Sequence, residues 1–572
     1  MHSARTMRCA LTFAAARGTR AAIPAPAARR IMLPASWIAS SRRTFSCATV
    51  RRSAVGAAAS STASRASATS PPSAPHVSPS PVPPYRTVLF ASSPFSLPTL
   101  RALAAASDVV RTGDLIVVTP TDKVRGRGRE LRESEFKREA KRLLCGGSNS
   151  TSSSTTSGVG GSVDGVPIAA SGTVIDLPSD INFKMDGWDL PASLLNADPA
   201  QPSFDVGVVV SFGYMIPARL LRHFRAGLIN IHPSLLPRHR GSAPIQYSIA
   251  RGETLTGVSI IDVHPTRMDG GDVISQQATL MHSRDAPTFE SMHDLLAEQG
   301  AKQLMQVLRN LEQARACRKE QTLLASSASA SAAPTSPAAP SIRSDASSAA
   351  LSFISPTIPP QVPSLAPRIP KHAGELLWGL HGPLLLCRIS RALRGFTPVY
   401  THFRGARIEV KGVLEPAEAQ RRIREAAASK ETPADFSFFP SIDDAKELGV
   451  GGLFFHGGLR AIGVLCAPAT ATATTVPSSP DVARGPATIT PSASSPSDSL
   501  EVLYVTELHL ANKPLSVSAE TFAFGYLDKR VLTDPEAHWK QWRFVCTADM
   551  PPQKGQERKT LAQLDYWTAK LK

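Results

Sequence analysis

The sequence predicts a doubly wound, mostly parallel α/β sheet followed by a smaller domain built chiefly of strands, and three observations carry that prediction. From Tyr85 onward, short apolar, often β-branched runs alternate with segments of helical period, the pattern of strands joined by helical crossovers. A Ser/Ala/Pro tract over 323–364 holds a single acid, Asp345, and reads as a linker. Beyond it, residues 365–565 carry many short strand-like runs and little helical periodicity.

In order, the first domain (85–322) opens with an apolar strand at 87–92, a helix from Leu97 to Ala106 and a strand at Leu115–Thr119. A charged helix, Glu133 to Leu144, precedes a Gly/Ser/Thr tract at 146–164 that reads as a surface insertion. Strands follow at Thr173–Leu177 and Val206–Val210, then a helix at Pro217–Phe224 and a strand at Leu228–His232. A helix at Ala243–Ala250, a strand at Val258–Val263 and an extended segment at Val273–Leu280 come next. One long helix, Thr288 to Arg315, closes the domain, with Met292, Leu295, Leu296, Leu304, Leu308 and Leu311 at helical spacing. In the second domain the strand-like pieces are Val399–Phe403, Arg407–Leu414, Gly452–His456, Ala461–Cys466 and Glu501–Leu510, consistent with a small barrel or a sandwich. A second low-complexity insertion, 467–499, interrupts it.

The formal charge of +17 is unevenly placed: residues 1–84 hold eleven arginines and no acid, and the remainder carries 52 basic against 46 acidic residues. An acid-free, Arg-, Ser- and Ala-rich start is the signature of an organelle-targeting presequence, here 1–45, followed by a disordered lead-in at 46–84. Arg43-Thr44-Phe45-Ser46 resembles a matrix-peptidase site, so the expected location is the mitochondrial matrix; a disordered basic tail is the plainer alternative. No apolar run approaches the roughly 18 residues of a membrane span. Seven scattered cysteines without a C-x-x-C pair support neither a disulfide framework nor a zinc site, and no metal is expected. The first strand ends in Ala91-Ser92-Ser93-Pro94 rather than G-x-G-x-x-G, so a dinucleotide is not the expected ligand.

Chemistry concentrates between Asn230 and Asp272. Side chains two apart on a strand point the same way, so Asn230 and His232 project together at a strand's carboxyl end, where such sheets bind ligands. The turn Pro233 to Pro237 follows, and Met268-Asp269-Gly270-Gly271-Asp272 supplies a carboxylate on a glycine-hinged loop. An amide, an imidazole and a carboxylate suit acyl transfer to an amine without a covalent intermediate: the first two stabilise a tetrahedral oxyanion and the third orients the imidazole and helps collect a proton. Taken singly, each of the three is more often a structural hydrogen-bonder or an ordinary turn residue than a catalyst.

Asn-x-His-Pro-Ser-Leu-Leu-Pro with a downstream Asp-Gly-Gly-Asp resembles the folate-dependent formyltransferase family. The resemblance implies a Rossmann-like formyltransferase domain in which Asn230, His232 and Asp269 form the catalytic trio. It also implies that Ser234, Leu235, Leu236 and Pro237 contact 10-formyltetrahydrofolate. Arg240-Gly241-Ser242-Ala243-Pro244-Ile245-Gln246 is similar to the branch that formylates initiator methionyl-tRNA, for translation initiation. Thr119 to Leu131 resembles that branch's basic loop, which makes Arg125, Arg127 and Arg129 candidates for tRNA contact. Ala366-Pro367-Arg368-Ile369 and Ile389 to Pro398 resemble the start of its open, OB-like β-barrel domain, adding Arg391 and Arg394 as tRNA-binding candidates. The implied enzyme acts as a monomer and touches no membrane; a small-amine formyltransferase and a silent tRNA-binding relative are the competing readings. The loop Ala91 to Leu97 departs from the family in lacking Gly-Thr-Pro, and His264-Pro265-Thr266-Arg267 is one residue longer than in bacterial forms.

Overall fold

The computed structural model describes residues 81–571 apart from 126–129, 146–161, 164–165, 168–171, 282–285, 317–357, 360, 429–434, 469–499, 511–512, 529–540 and 551–558. The expected presequence (1–45), all but the end of the lead-in (46–84), most of the tract 323–364 and nearly all of both insertions lie outside the described residues.

The first part runs β1 (Tyr85–Ala91), α1 (Leu97–Ala105), β2 (Val110–Pro120), β3 (Lys123–Arg125), β4 (Glu130–Arg132) and α2 (Glu135–Leu144). It continues with β5 (Ser162–Val163), β6 (Val166–Pro167), β7 (Gly172–Leu177), β8 (Val206–Val210), α3 (Ala218–Leu221), β9 (Leu228–His232) and α4 (Pro244–Arg251). Then come β10 (Leu255–Asp262), β11 (Val273–Leu280), α5 (Phe289–Arg309) and α6 (Leu311–Ala316). Seven strands form one mixed sheet in the order β11-β10-β9-β8-β1-β2-β7. β7, β2, β1, β8 and β9 are mutually parallel, whereas β10 pairs antiparallel with both β9 and β11. The reversal has a local cause. Opposite His232 lies Ser259, so the chain leaves β9 and re-enters β10 at the same end of the sheet, and α4 does not act as a crossover.

Several boundaries differ from the sequence reading, two of them for a visible reason. β2 begins five residues early, because Val110 pairs with Tyr85 and the polar stretch before Leu115 is absorbed as an irregularity in the ladder. The long helix breaks at Asn310, whose backbone (φ −135°, ψ 43°) is not helical, although the apolar stripe continues through Leu311.

The second part holds more helix than its strand-rich sequence suggests. It comprises α7 (Pro383–Leu393), β12 (Tyr400–Phe403), β13 (Ala406–Leu414), α8 (Pro416–Ala428), α9 (Ile442–Leu448), β14 (Leu453–His456) and β15 (Ala461–Cys466). β16 (Glu501–Leu510), β17 (Val517–Ser518) and α10 (Ala519–Tyr526) follow, and a short helix, Tyr566–Leu571, lies near the C-terminus. The strands make an antiparallel sheet in the order β12-β13-β16-β15-β14, with β17 on β16. Segment 542–545 hydrogen-bonds to both outer strands' sides: Val545 exchanges bonds with His402, Phe544 N donates to Gly451 O, and Leu453 N donates to Trp542 O.

One hydrophobic core runs through both parts, from Tyr85 and Leu89 through Tyr247 and Leu304 to Trp378, Leu386 and Trp567. Its stitching is specific. The C-terminal helix returns to α4, where the Tyr247 and Tyr566 hydroxyls meet at 2.6 Å, and Trp567 Nε1 donates to Ala373 O. Among the described residues no helix is long and apolar enough to cross a membrane.

Candidate active site

The alternation of β9 sets the site. Ile229 and Ile231 are buried, and Gly300 on α5 lies so close to Ile231 that a Cβ there would come within 2.7 Å of it. The helix therefore covers one face of the strand, and Asn230 and His232 project from the other. Although β10 ends beside Leu228, the loop that follows folds back over this second face. It brings Asp269 to both side chains: Asn230 Nδ2 donates to Asp269 Oδ1 at 3.3 Å, and His232 Nδ1 lies 3.7 Å from the same oxygen. The other carboxylate oxygen, Oδ2, accepts from Gly241 N at 2.9 Å.

The glycines of this loop are needed for the approach. A Cβ on Gly271 would stand 1.7 Å from the Asp262 carbonyl oxygen, so no side chain fits there. Asp269 itself sits at φ +49°, in the left-handed region that Asp tolerates better than most residues.

His232 is held at its far nitrogen. Nε2 lies 2.9 Å from the carbonyl oxygen of His239, and because a carbonyl only accepts, Nε2 carries the hydrogen. Nδ1 is thus the nitrogen turned toward Asp269, which lies beside it but outside hydrogen-bond range. Both side chains are shielded, His232 at 5% exposure and Asp269 at 11%. In a setting this dry a carboxylate stabilises an imidazolium more than it does in water.

The turn after His232 is braced from beneath. Ser259 Oγ donates to Ser234 O at 2.6 Å and accepts from Leu236 N and from Gln276 Nε2, at 3.0 and 2.8 Å. That uses the hydroxyl's one donor and both lone pairs. Gln276 also donates to Leu236 O, and Ser234 Oγ donates to Arg238 O. The side chains of Ser234, Leu235 and Leu236 are buried, Leu236 against Ile261 and Val273, so the turn presents backbone and the partly exposed Pro237 rather than these side chains. Residues 236–237 are joined by a cis peptide bond.

His239 supports the turn from behind. Its Nε2 lies 2.9 Å from both Glu253 carboxylate oxygens, and burial holds its pKa below the ordinary value against the opposing pull of Glu253. Neither Ser259, Gln276, His239 nor Glu253 stood out in the sequence. Only the proximity of His239 to the motif could have drawn attention to it.

The basic candidates fall in different places. Arg125 ends β3, which pairs with β4 as a hairpin, while Arg127 and Arg129 lie outside the described residues. The hairpin's root is pinned by Lys137, whose buried ammonium bonds Asp122 at 3.0 Å and Asp176 at 2.7 Å. Arg391 is engaged within the protein, 2.7 Å from Glu415 and donating to Pro287 O, at 18% side-chain exposure. Arg394 is 60% exposed and only 3.5 Å from an equally open Glu290. Among the described residues no cluster of three or more His, Cys, Asp or Glu side chains is placed to hold a metal ion.

Residues 191–308, which include Asn230, His232, Asp269 and the turn Ser234 to Pro237, match the family model described as Formyl transferase. A methionyl-tRNA formyltransferase from Coxiella burnetii is 34% identical over 226 residues, covering 39% of this chain and 58% of that protein. A mitochondrial methionyl-tRNA formyltransferase from Rattus norvegicus is 38% identical over 117 residues, or 20% of this chain and 30% of that protein. The corresponding Homo sapiens protein is 35% identical over 126 residues, 22% of this chain and 32% of its own length. The matched segment spans somewhat over half of the bacterial relative and about a third of the mammalian ones.

Proposed function

We propose, from the premise that residues 191–308 form a formyl transferase domain, that this chain moves the formyl group of 10-formyltetrahydrofolate onto the α-amino group of methionine on initiator methionyl-tRNA, acting as a monomer in the mitochondrial matrix. The convergence of Asn230, His232 and Asp269 on one point at the carboxyl end of β9 carries this reading. The three residues have the roles of a non-covalent acyl transfer. When the amine nitrogen attacks the formyl carbon, the carbonyl oxygen becomes an oxyanion, and the second N–H of Asn230, the one not given to Asp269, is available to it. His232, already donating through Nε2, can hold a proton on Nδ1 facing the same region, and Asp269 stabilises the resulting imidazolium. The attacking nitrogen loses a proton toward this pair, and the departing folate nitrogen regains one as its bond to the formyl carbon breaks. The turn Ser234 to Pro237 contributes backbone contacts to the donor substrate.

The two-part organisation, a catalytic domain at 85–322 and a tRNA-binding domain at 365–565, belongs to the same proposal. Bonds from segment 542–545 to both sides of the second sheet support reading it as a small barrel. Arg125, Arg127, Arg129 and Arg394 are the contacts to tRNA phosphates; Arg391, ion-paired to Glu415, contributes less.

The test is formyl transfer by the purified full chain to charged initiator tRNA, beside glycinamide ribonucleotide and amino-sugar nucleotides. Transfer to the tRNA that collapses in His232→Ala is the expected result. Transfer to a small amine alone would identify a different formyltransferase, and tRNA binding without transfer would identify a silent relative; either would refute the proposal.

A further inference from the structure

Two backbone atoms of the stretch 239–241 hold the site: the His239 carbonyl fixes His232 Nε2, and the Gly241 N–H fixes the Asp269 carboxylate. This stretch has little reason to keep its shape alone. His239 lies at φ +60° and Gly241 at φ +121°, and the stretch belongs to no helix or strand. Three more of its backbone polar groups, the His239 N–H and both Arg240 groups, are taken up by Ser364 to Ala366, about 125 positions away and leading into the second part of the chain. His239 N donates to Ser364 Oγ at 3.0 Å, Arg240 N to Ser364 O at 2.9 Å, and Ala366 N to Arg240 O at 2.7 Å. At the flanks, Ser364 N donates to Pro237 O at 3.3 Å and Ala243 N to Ala366 O at 3.1 Å. Arg240 and Leu365 thus form a parallel bridge.

The loop's polar groups are therefore divided between two partners. The His239 carbonyl and the Gly241 N–H serve the site, while the His239 N–H and both Arg240 backbone groups serve the strap. The two lie so close that a Cβ on Gly241 would come 2.5 Å from Ala366 O. Displacing the strap would strip the partners from three backbone groups of the two residues beside the catalytic imidazole and carboxylate.

We propose that Ser364 to Ala366 are positioning residues of the formyl-transfer site, so that the segment entering the second domain completes the catalytic loop of the first. The inference rests on the proposed function for its activity readout but not for its structural one. Under it, the site is built by both parts of the chain, and tRNA-binding and catalytic elements share a mechanical joint at residues 239–241.

The experiment compares full-length Ser364→Ala, Ser364→Thr and Val362→Ala, the last removing a side chain outside the strap that is 73% exposed. Formyl transfer is measured alongside the ring 15N signals of His232 in histidine-labelled protein, assigned with His232→Ala. Ser364→Ala should lower kcat about tenfold, the effect of one misplaced hydrogen bond near the chemistry, with KM for charged tRNA unchanged. The Nε2 signal should move as its carbonyl partner shifts, Ser364→Thr should restore both properties, and Val362→Ala should match the wild type. An unmoved His232 signal in folded Ser364→Ala would overturn the proposal, as would an effect confined to KM. Were the wild type to transfer no formyl group at all, the functional reading would fall, and the His232 signal alone would still decide the strap in either direction.

Discussion

Asp269→Asn tests the site most directly because it changes charge while keeping shape. Asn tolerates the left-handed φ of +49° about as well as Asp, so backbone strain does not confound the result. The amide oxygen can still accept from one partner, Asn230 Nδ2 or Gly241 N, but its NH₂ group then faces the other donor. That mismatch should cost about 1–3 kcal/mol of stability, less if the loop relaxes. The larger effect is on the reaction. At the observed 3.7 Å separation, the attraction between carboxylate and imidazolium is about 4 kcal/mol at an effective dielectric constant near 20, and this is lost. Discounting for residual solvent leaves roughly 3–4 kcal/mol, or a 10²–10³-fold lower kcat. Steady-state kinetics with charged initiator tRNA, at a temperature where denaturation curves show the variant folded, would measure it. A kcat within tenfold of the wild type, or a loss expressed wholly in KM, would refute the assignment of Asp269 as the partner of His232.

Three further outcomes follow from the same geometry. Gly271→Ala puts a methyl 1.7 Å from the Asp262 carbonyl oxygen, so the loop must move; denaturant titration should show a loss of about 2–3 kcal/mol together with reduced kcat, and an unchanged midpoint would mean the loop has slack. Arg391→Met should lower stability by about 1–3 kcal/mol because it strands Glu415, whereas Arg394→Ala should leave the melting curve in place and reduce the salt slope of tRNA binding by about 1; the reverse pattern would exchange their roles. Burial lowers the pKa of His239, His402 and His456 below the ordinary histidine value of 6.5, so below that pH the unfolded chain binds more protons than the folded one. Their contribution to stability is therefore present in full above pH 6.5 and is lost as pH falls through the folded values. Melting temperature should drop from pH 7 to pH 5, and His456→Asn, which can keep the acceptor for Leu459 N, should flatten that drop.

Much of the sheet was legible because its strands are short, buried and β-branched, as at Val206–Val210, where every residue is inside. The same local signal misplaced other features. β2 starts early because Val110 pairs with Tyr85 and the polar residues before Leu115 are absorbed as an irregularity in the ladder. The helices α7, α8, α9 and α10 went unannounced in a region judged by its strands. Arg391 and Arg394, three residues apart in one motif, carry the same charge, yet one is internal and the other open. Nothing in their neighbours along the chain separates them.

By itself the sequence determined that Asn230 and His232 share a face of one strand, since a period of two is a property of backbone geometry and needs no partner. It also placed two glycines directly after Asp269, although why a side chain fails at Gly271 is a matter of packing. Only the tertiary structure decided which nitrogen of His232 carries its hydrogen, that Asp269 folds back to it, and that Ser364 to Ala366 hold the loop between them. The physical reason is range. Side-chain direction is set by adjacent residues, whereas a hydrogen bond between groups 39 or 125 positions apart exists only once packing has brought them together, and no periodicity in the chain records that it has.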